Sequence, residues 1–310
     1  MSDLTAPYYN DPSEARKYLE ALHWPDGPVC PKCGSVNNAT CTKRGVWRCK
    51  AKECRADFSV TMGTIFERSH VPLHKWLLAF RLMAGSKKGM SAHQMHRQLG
   101  VTHKTAWFME HRIRESMTDT DPSPLGGDGK TLEVDETFMR SNYVFSHAKG
   151  WHKAHGPGGQ AYKVLTVVER KGRARSVKME TLKVRDVREV LVRNADARSV
   201  LMTDEAFHYK KVGKDYAEHL SVNHGKGEYG AGETHTNTIE GYFSIFKRGM
   251  KGVYQHCGEQ HLHRYLAEFD FRYSNRAALE IDDNERTRIA LKGAVGKRLM
   301  YSQAGRGKAA

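Results

Sequence analysis

Long apolar runs are missing from this 310-residue chain; the longest, WLLAF at 76–80, falls far short of the ~20 residues that a membrane-crossing helix needs. No membrane-spanning helix is expected. The first residues, MSDLTAPYYNDPSEARKYLE, lack both the basic lead and the apolar stretch of a secretory signal, so a cytoplasmic location is expected. Acids are scarce beside bases, 35 Asp+Glu against 50 Lys+Arg, for a formal net charge of +15. A chain so basic is suited to polyanions, because each neutralised phosphate releases condensed counterions. Nucleic acid fits better than an anionic membrane surface, since no basic amphipathic helix stands apart from a domain. Cysteine is also sparse: five of the six lie between Cys30 and Cys54, and the sixth is Cys257. In a chain without an export signal that clustering points to metal rather than disulfides.

The length allows more than one domain. Residues 1–27 read as a helical arm, with a short helix over 13–22, Ser13 as its N-cap and PDGP as its stop. Residues 28–60 hold the cysteines among strand-like pieces, GVWRC and DFSV. Residues 61–118 carry apolar residues at helical spacing, broken at Gly89 and Gly100, which predicts three helices. The segment 119–130 is rich in proline, glycine and aspartate and reads as a linker. Residues 131–276 give strand-like runs (131–138, 162–170, 174–182, 199–206), helices near 184–195, 207–220, 238–250 and 259–275, and a short strand at 221–224. That order predicts an α/β or α+β layer fold. Residues 277–310 look like a loose basic tail.

CPKCG places Cys30 and Cys33 on one knuckle, and RCKAKEC places Cys49 and Cys54 on a second. Two such knuckles can bring four thiolates to tetrahedral zinc, and a full ligand set leaves no open position, so the zinc would be structural. Cys41 fits neither pair. Within the helical module, a helix, a turn at 99–101 and a helix from Thr102 suggest a helix-turn-helix unit. Its base-facing candidates are His103, Lys104 and Thr105, and its phosphate candidates Arg112 and Arg114. Near the second knuckle Arg44, Trp47 and Arg48 are candidate backbone contacts.

Three carboxylates draw attention in the last domain. Asp135 lies in LEVDETF and Asp204 ends the apolar run SVLMTDEA; a strand fixes such a side chain while its end opens on a cleft. Glu240 lies in NTIEGYFSIFKRG. On a helix there, Ile239, Tyr242, Phe243, Phe246 and Met250 share one face, while Asn237, Glu240, Ser244 and Lys247 gather beside it. Two strand aspartates and a helix glutamate can hold two divalent cations about 3.5–4 Å apart, and oxygen ligands favour Mg²⁺ or Mn²⁺. Lys247 and its neighbour Arg248 would meet a phosphate backbone. The stretch 147–160, HAKGWHKAHGPGGQ, reads either as a DNA-contacting loop or as a solvated basic one; His147, His152 and His155 lack the spacing of a metal site.

Taken together, CPKCG…WRCKAKEC, FSVTMGTIFERSHVPLHKW, LEVDETF, TDEA, HTNTIEGYFSIFKRGMKGVYQH and HLHRYLAEFDFRYSNR resemble the bacterial insertion-sequence transposases with an N-terminal zinc ribbon and an ISXO-like DDE domain. The resemblance covers roughly residues 15–276. It implies a multidomain protein in which a zinc ribbon and a helical module precede a ribonuclease-H-like catalytic core. It further implies binding of terminal inverted repeats, DNA cleavage at element ends and transfer of the 3′ ends to target DNA, in a bacterial cytoplasm and on the nucleoid. Asp135 and Asp204 correspond to the first two acids, Glu240 to the third and Lys247 to the basic residue after it. Some relatives place an asparagine third, which here would be Asn237. Holding two ends calls for a homo-oligomer, with a dimer as the simplest form. Two rival readings share many of these residues: a DNA-binding regulator with an inert catalytic domain, and a nuclease of the same fold that never joins strands.

Overall fold

The computed structural model describes residues 4–42, 44–140, 143–146, 150–153, 161–222 and 235–300. In chain order its elements are α1 (Pro12–His23), β1 (Ala39–Cys41), β2 (Trp47–Cys49), β3 (Asp57–Phe58), α2 (Leu73–Gly85), α3 (Ala92–Leu99), α4 (His103–Ser116), β4 (Thr131–Arg140), β5 (Tyr143–Ser146) and β6 (Gly150–Lys153). There follow β7 (Ala161–Glu169), β8 (Ala174–Met179), α5 (Val184–Asn194), β9 (Val200–Thr203), α6 (Phe207–Val212), β10 (Glu218–Ser221), α7 (Asn237–Gly249), α8 (Leu262–Ser274) and α9 (Asp283–Lys292). The chain divides into two compact units, one of residues 1–86, 90–118 and 282–310, the other of 87–89 and 119–281. Among the described residues no helix is long and apolar enough to cross a membrane.

The first unit joins the ribbon to the helical module. β1, β2 and β3 form an antiparallel sheet under a small aromatic cluster in which Trp24 meets Trp47 and Phe58 edge-on. α1 begins two residues earlier than its sequence suggested: Asp11, not Ser13, is the cap, its Oδ1 accepting from the amides of Ser13 and Glu14 at 2.8 Å. Pro12 at the first helical position, whose missing N–H costs nothing there, is the signal behind that start. α3 and α4 are joined at Gly100, which has a left-handed φ of 62°, and Thr102 caps α4 by accepting from Thr105 N.

Residues 277–310, read as a loose tail, instead contain α9. Asp282 caps it, Ala290 and Leu291 are buried, and Arg286 donates to the Ala84 carbonyl at 3.2 Å. DNERTRIALK has too few apolar positions to signal a buried face. Its arginines, counted as surface charge, are spent on partners within the unit.

The second unit is a three-layer α/β fold. Its five-stranded sheet has the order β10-β9-β4-β7-β8; β4, β7 and β8 run antiparallel in succession, and β9 and β10 run parallel to β4. Period-two alternation builds both faces. Leu132 and Val134 of β4 and Leu165 and Val167 of β7 pack under α5 and α6 with Val187, Leu191 and Tyr209. Val164 and Val168 turn the other way, to α7 and α8, where Ile239, Tyr242, Phe246, Leu266 and Phe269 complete a second core.

Three boundaries moved. The linker is folded onto this unit: Leu125 is buried and bridges Ala195, while Asp119 and Asp121 pair with Arg175 and Arg173. Linker composition does not reveal these arginine partners, which arrive from β8 and the turn before it. The helix expected over 207–220 stops at Val212, before Gly213, and the strand expected at 221–224 comes earlier, as β10. Of the 147–160 loop, only the backbone of β6 lies within the described residues.

Phe246 is wholly buried, with its ring 5.1 Å from that of Phe269 and perpendicular to it. Replacing it with alanine should cost roughly 3–5 kcal/mol, read as a lower urea midpoint at unchanged slope. A loss below about 1 kcal/mol would mean that α7 is not packed on the sheet as described.

Candidate functional site

In the ribbon, the Sγ atoms of Cys30 and Cys54 lie 3.7 Å apart and those of Cys33 and Cys49 3.6 Å apart, with all four thiols inside 4.8 Å. A tetrahedron with Zn–S bonds of about 2.3 Å has edges of about 3.8 Å, so the four sulfurs fit zinc closely. The antiparallel β1–β2 hairpin and the β2–β3 pairing bring the two knuckles together. Cys41 is exposed and stands outside the group.

At the centre of the second unit the parallel register pairs Glu133 with Met202. Two residues further along each strand this brings Asp135 of β4 alongside Asp204, which follows β9. Asp135 Oδ1 accepts from the Glu136 amide at 2.7 Å, and Asp204 Oδ1 accepts from the Ala206 amide at 3.0 Å. Burial pushes the Asp135 carboxyl up to about 7; the Glu136 amide opposes that, the charges of Glu136 and Asp204 add to it, and Lys247 draws it back down. Asp135 therefore shares its field with both Asp204 and Lys247.

The same helix carries the other candidates. Glu240, in the first turn of α7, is exposed, and its Oε1 accepts from the buried Thr236 hydroxyl at 3.0 Å. Asn237 opens the helix and is exposed. Lys247 Nζ sits 5.7 Å from the centre of the Phe243 ring, and Arg248 is tied back to Ser244. Among the described residues the four thiols are the one group that converges to ligand spacing. Asp135, Asp204 and Glu240 do not converge to that spacing.

The nucleic-acid candidates divide. Arg44, His103 and Lys104 are exposed; His103 stacks on His93 at 4.1 Å, and the Thr105 hydroxyl bonds that of Thr102 at 2.8 Å. Arg48 is exposed but held by Asp57 through two hydrogen bonds of 2.7 and 2.9 Å. Arg112 must be corrected: it is buried and donates to the carbonyls of Ile65 and Glu67 at 2.6 and 3.2 Å, so it serves the fold and not a phosphate. Arg114 is wholly buried beside Glu110. Helical periodicity marks both arginines as polar positions, but it does not reveal that loop carbonyls and a buried acid await them.

One further group went unread in the sequence. Glu136, next to Asp135 but on the opposite face of β4, accepts from the Tyr209 hydroxyl at 2.5 Å and lies 3.5 Å from His208 Nε2. Burial alone would raise its carboxyl; His208 and Tyr209 outweigh that and hold it below its ordinary value. The available signal was the acid–acid pair in LEVDETF, whose two members must face opposite ways on a strand.

Residues 124–274 match the family model of the ISXO2-like transposase domain, and residues 11–57 match that of the transposase zinc-ribbon domain. The chain belongs to this transposase family. A relative from Halobacterium salinarum, an uncharacterized protein in transposable element ISH50, is 25% identical over 270 residues, covering 83% of this chain and 89% of its own length. The family is therefore not confined to the bacterial elements named by the sequence resemblance. Among solved structures, the Mos1 strand transfer complex aligns over 70% of this chain and 74% of its own at 12% identity and a TM-score of 0.29. The Drosophila P element transposase strand transfer complex aligns over 73% and 65% at 10% identity and a TM-score of 0.28. At such scores neither assigns a residue in this transposase.

Two outcomes follow from the geometry. Purified transposase should carry about one zinc per chain, and Cys49→Ser should lose most of it, by elemental analysis; wild-type content well below one would refute the four-thiol site. For Asp135, whose folded-state value is raised from 3.8 to about 7, the folded chain holds the proton more tightly than the unfolded one. The stability this gives is complete below about pH 4 and is lost as pH rises through about 7. A divalent cation held at this carboxylate would compete with that proton; if one binds there, Mg²⁺ should raise Tm more at about pH 8 than at about pH 6, and Asp135→Asn should abolish the difference.

Proposed function

We propose that this protein is the enzyme of an insertion sequence that cuts DNA at the element's ends and joins the freed 3′-hydroxyls to target DNA. The observation that carries the reading is the half-buried Asp135, raised by desolvation and within the fields of Asp204 and Lys247, inside the domain that matches the ISXO2-like model. The strand order supports it as well: three antiparallel strands followed by two parallel ones on the far side of the first is the arrangement of ribonuclease-H-like cores.

In this reading Asp135 and Asp204, with Glu240 or Asn237, would hold Mg²⁺ or Mn²⁺, two ions in all, which when bound supply water activation and stabilisation of the leaving oxygen. The two strands fix the aspartates rigidly while α7 presents the third ligand from a different layer. Lys247, whose charge already lowers Asp135, would meet the phosphate on the same face, with Arg248 beside it. Partial burial of Asp135 weakens the screening of its charge by bulk water.

Division of labour follows the domains. The ribbon at 28–60 and the helical module at 61–118, acting as a helix-turn-helix, would select the terminal inverted repeats through His103, Lys104 and Thr105, with Arg44 and Arg48 on the backbone. The core at 131–276 would cut and join. One structural zinc would stabilise the reader without chemistry of its own. Two ends must be held at once, so the working form would be a homo-oligomer, a dimer in the simplest case, acting on chromosomal DNA in the cytoplasm.

The test is an assay with the element's terminal DNA, Mg²⁺ and a target plasmid. Wild type should cleave and join, and Asp204→Ala should fall to about one per cent or less of wild type while still binding end DNA. Binding without cleavage would favour a regulator, and cleavage without joining a nuclease. Glu240→Gln should be as defective as Asp204→Ala, with Asn237→Ala milder; full activity in Glu240→Gln would move the third ligand to Asn237.

A further inference from the structure

The helix that carries Asn237, Glu240 and Lys247 begins without an ordinary cap. Thr236 occupies the N-cap position, yet its hydroxyl donates to Glu240 instead of accepting from a first-turn amide. An uncapped first turn inside a domain leaves donors that must be satisfied elsewhere. Here the acceptor comes from the sheet: Glu133 Oε2 takes the Ile239 amide at 2.9 Å, across 106 positions of sequence.

Glu133 is wholly buried and lies two residues before Asp135 on the same face of β4. Its other oxygen, Oε1, accepts from Arg170 Nε at 2.6 Å. Arg170 then reaches the residue just before the helix, with Nη2 donating to the His235 carbonyl at 2.7 Å and to His235 Nδ1 at 3.0 Å. That donation makes Nδ1 an acceptor, so its 3.6 Å approach to Glu133 is not an ion pair. The carboxylate is thus balanced by one guanidinium and by the positive end of α7, two partners that suit a buried negative charge.

We propose that Glu133 is a positioning residue: through the Ile239 amide and the Arg170 clamp it sets where α7 sits along β4, and hence where Glu240, Asn237 and Lys247 stand relative to Asp135. The inference rests on the function proposed above for that site. The same strand fixes Asp135 directly and α7 through Glu133, so both halves of the site share one rigid reference. A bond to a charged acceptor is strong enough to fix one register where apolar contacts between α7 and the sheet would tolerate small slides.

The test combines amide hydrogen exchange with metal titration of cleavage on the full-length protein. In Glu133→Ala, exchange across residues 236–246 should rise by about tenfold or more while α5 and β9 stay unchanged. The Mn²⁺ concentration for half-maximal end cleavage should rise by a similar factor, with affinity for end DNA within about twofold of wild type. Glu133→Gln, which can still accept from Ile239, should restore part of both; Arg170→Gln, altering a side chain at the margin of the core, should reproduce the metal effect even where Glu133→Ala does not fold.

Unchanged α7 exchange in the variants, or a rise spread evenly over the whole sheet, overturns the proposal, as does an unaltered Mn²⁺ requirement in an active protein. The exchange measurement needs no activity. If wild type fails to cleave but α7 exchange responds as stated, the proposed function fails and the anchor stands.

Discussion

Parallel pairing of β9 with β4 at the middle of the sheet places two carboxylates side by side, and much of the second unit can be understood as a response to that juxtaposition. Parallel neighbours cannot be joined by a tight turn, so after β7 and β8 extend the sheet on one side of β4 the chain crosses back through α5 to β9 on the other. The excursion covers one face with Val187 and Leu191 and closes the core beneath Leu132 and Val134. The acids are left half-buried between the flanking layers, and desolvation there makes Asp135 resist ionising. A sheet built only for stability would place apolar residues at these positions. The local electrostatic conflict is what the proposed cation site would relieve.

The first unit meets a different constraint. The ribbon's strands are two or three residues long, too short to hold a core, and its apolar interior amounts to Phe58 and the partly buried Trp24 and Trp47 around Cys30 and Cys49. A segment that small needs a cross-link. Four thiols spaced for one ion supply it. The helices of the unit lean on a packed core of their own, in which Trp76, Phe80 and Met83 are buried, and α9 is closed onto it by Arg81 and Arg286 with Asp283.

What could be read from the sequence was what depends on spacing. The knuckles, the apolar periods of α2 to α4, and an acid in or just after each of two apolar strands are local patterns, and the structure keeps them, with Asp135 in the middle of β4 and Asp204 just past β9. What escaped was decided by partners distant in sequence. Arg112 looks like any basic helix residue until the carbonyls of Ile65 and Glu67 are known to face it. Leu125 sits in linker composition and is buried because Ala195 arrives beside it. Glu133 shares a strand with Asp135 and passes as one more acid among 35, because its role depends on a helix that begins more than a hundred residues later.

That dependence bears on the choice between Glu240 and Asn237. With α7 anchored at Ile239, Asn237 lies at the very start of the helix and Glu240 one turn in, closer to the row that leads to Lys247. Three carboxylates would offset most of the charge of two divalent cations, whereas two carboxylates and a neutral carboxamide would offset only half of it. Lys247 adds positive charge to the same face and deepens the deficit. Thr236 already holds one Glu240 oxygen by a hydrogen bond from its hydroxyl, which fixes the carboxylate's orientation. Charge balance and preorganisation therefore both favour Glu240, with Asn237 able to complete a coordination sphere as a neutral ligand.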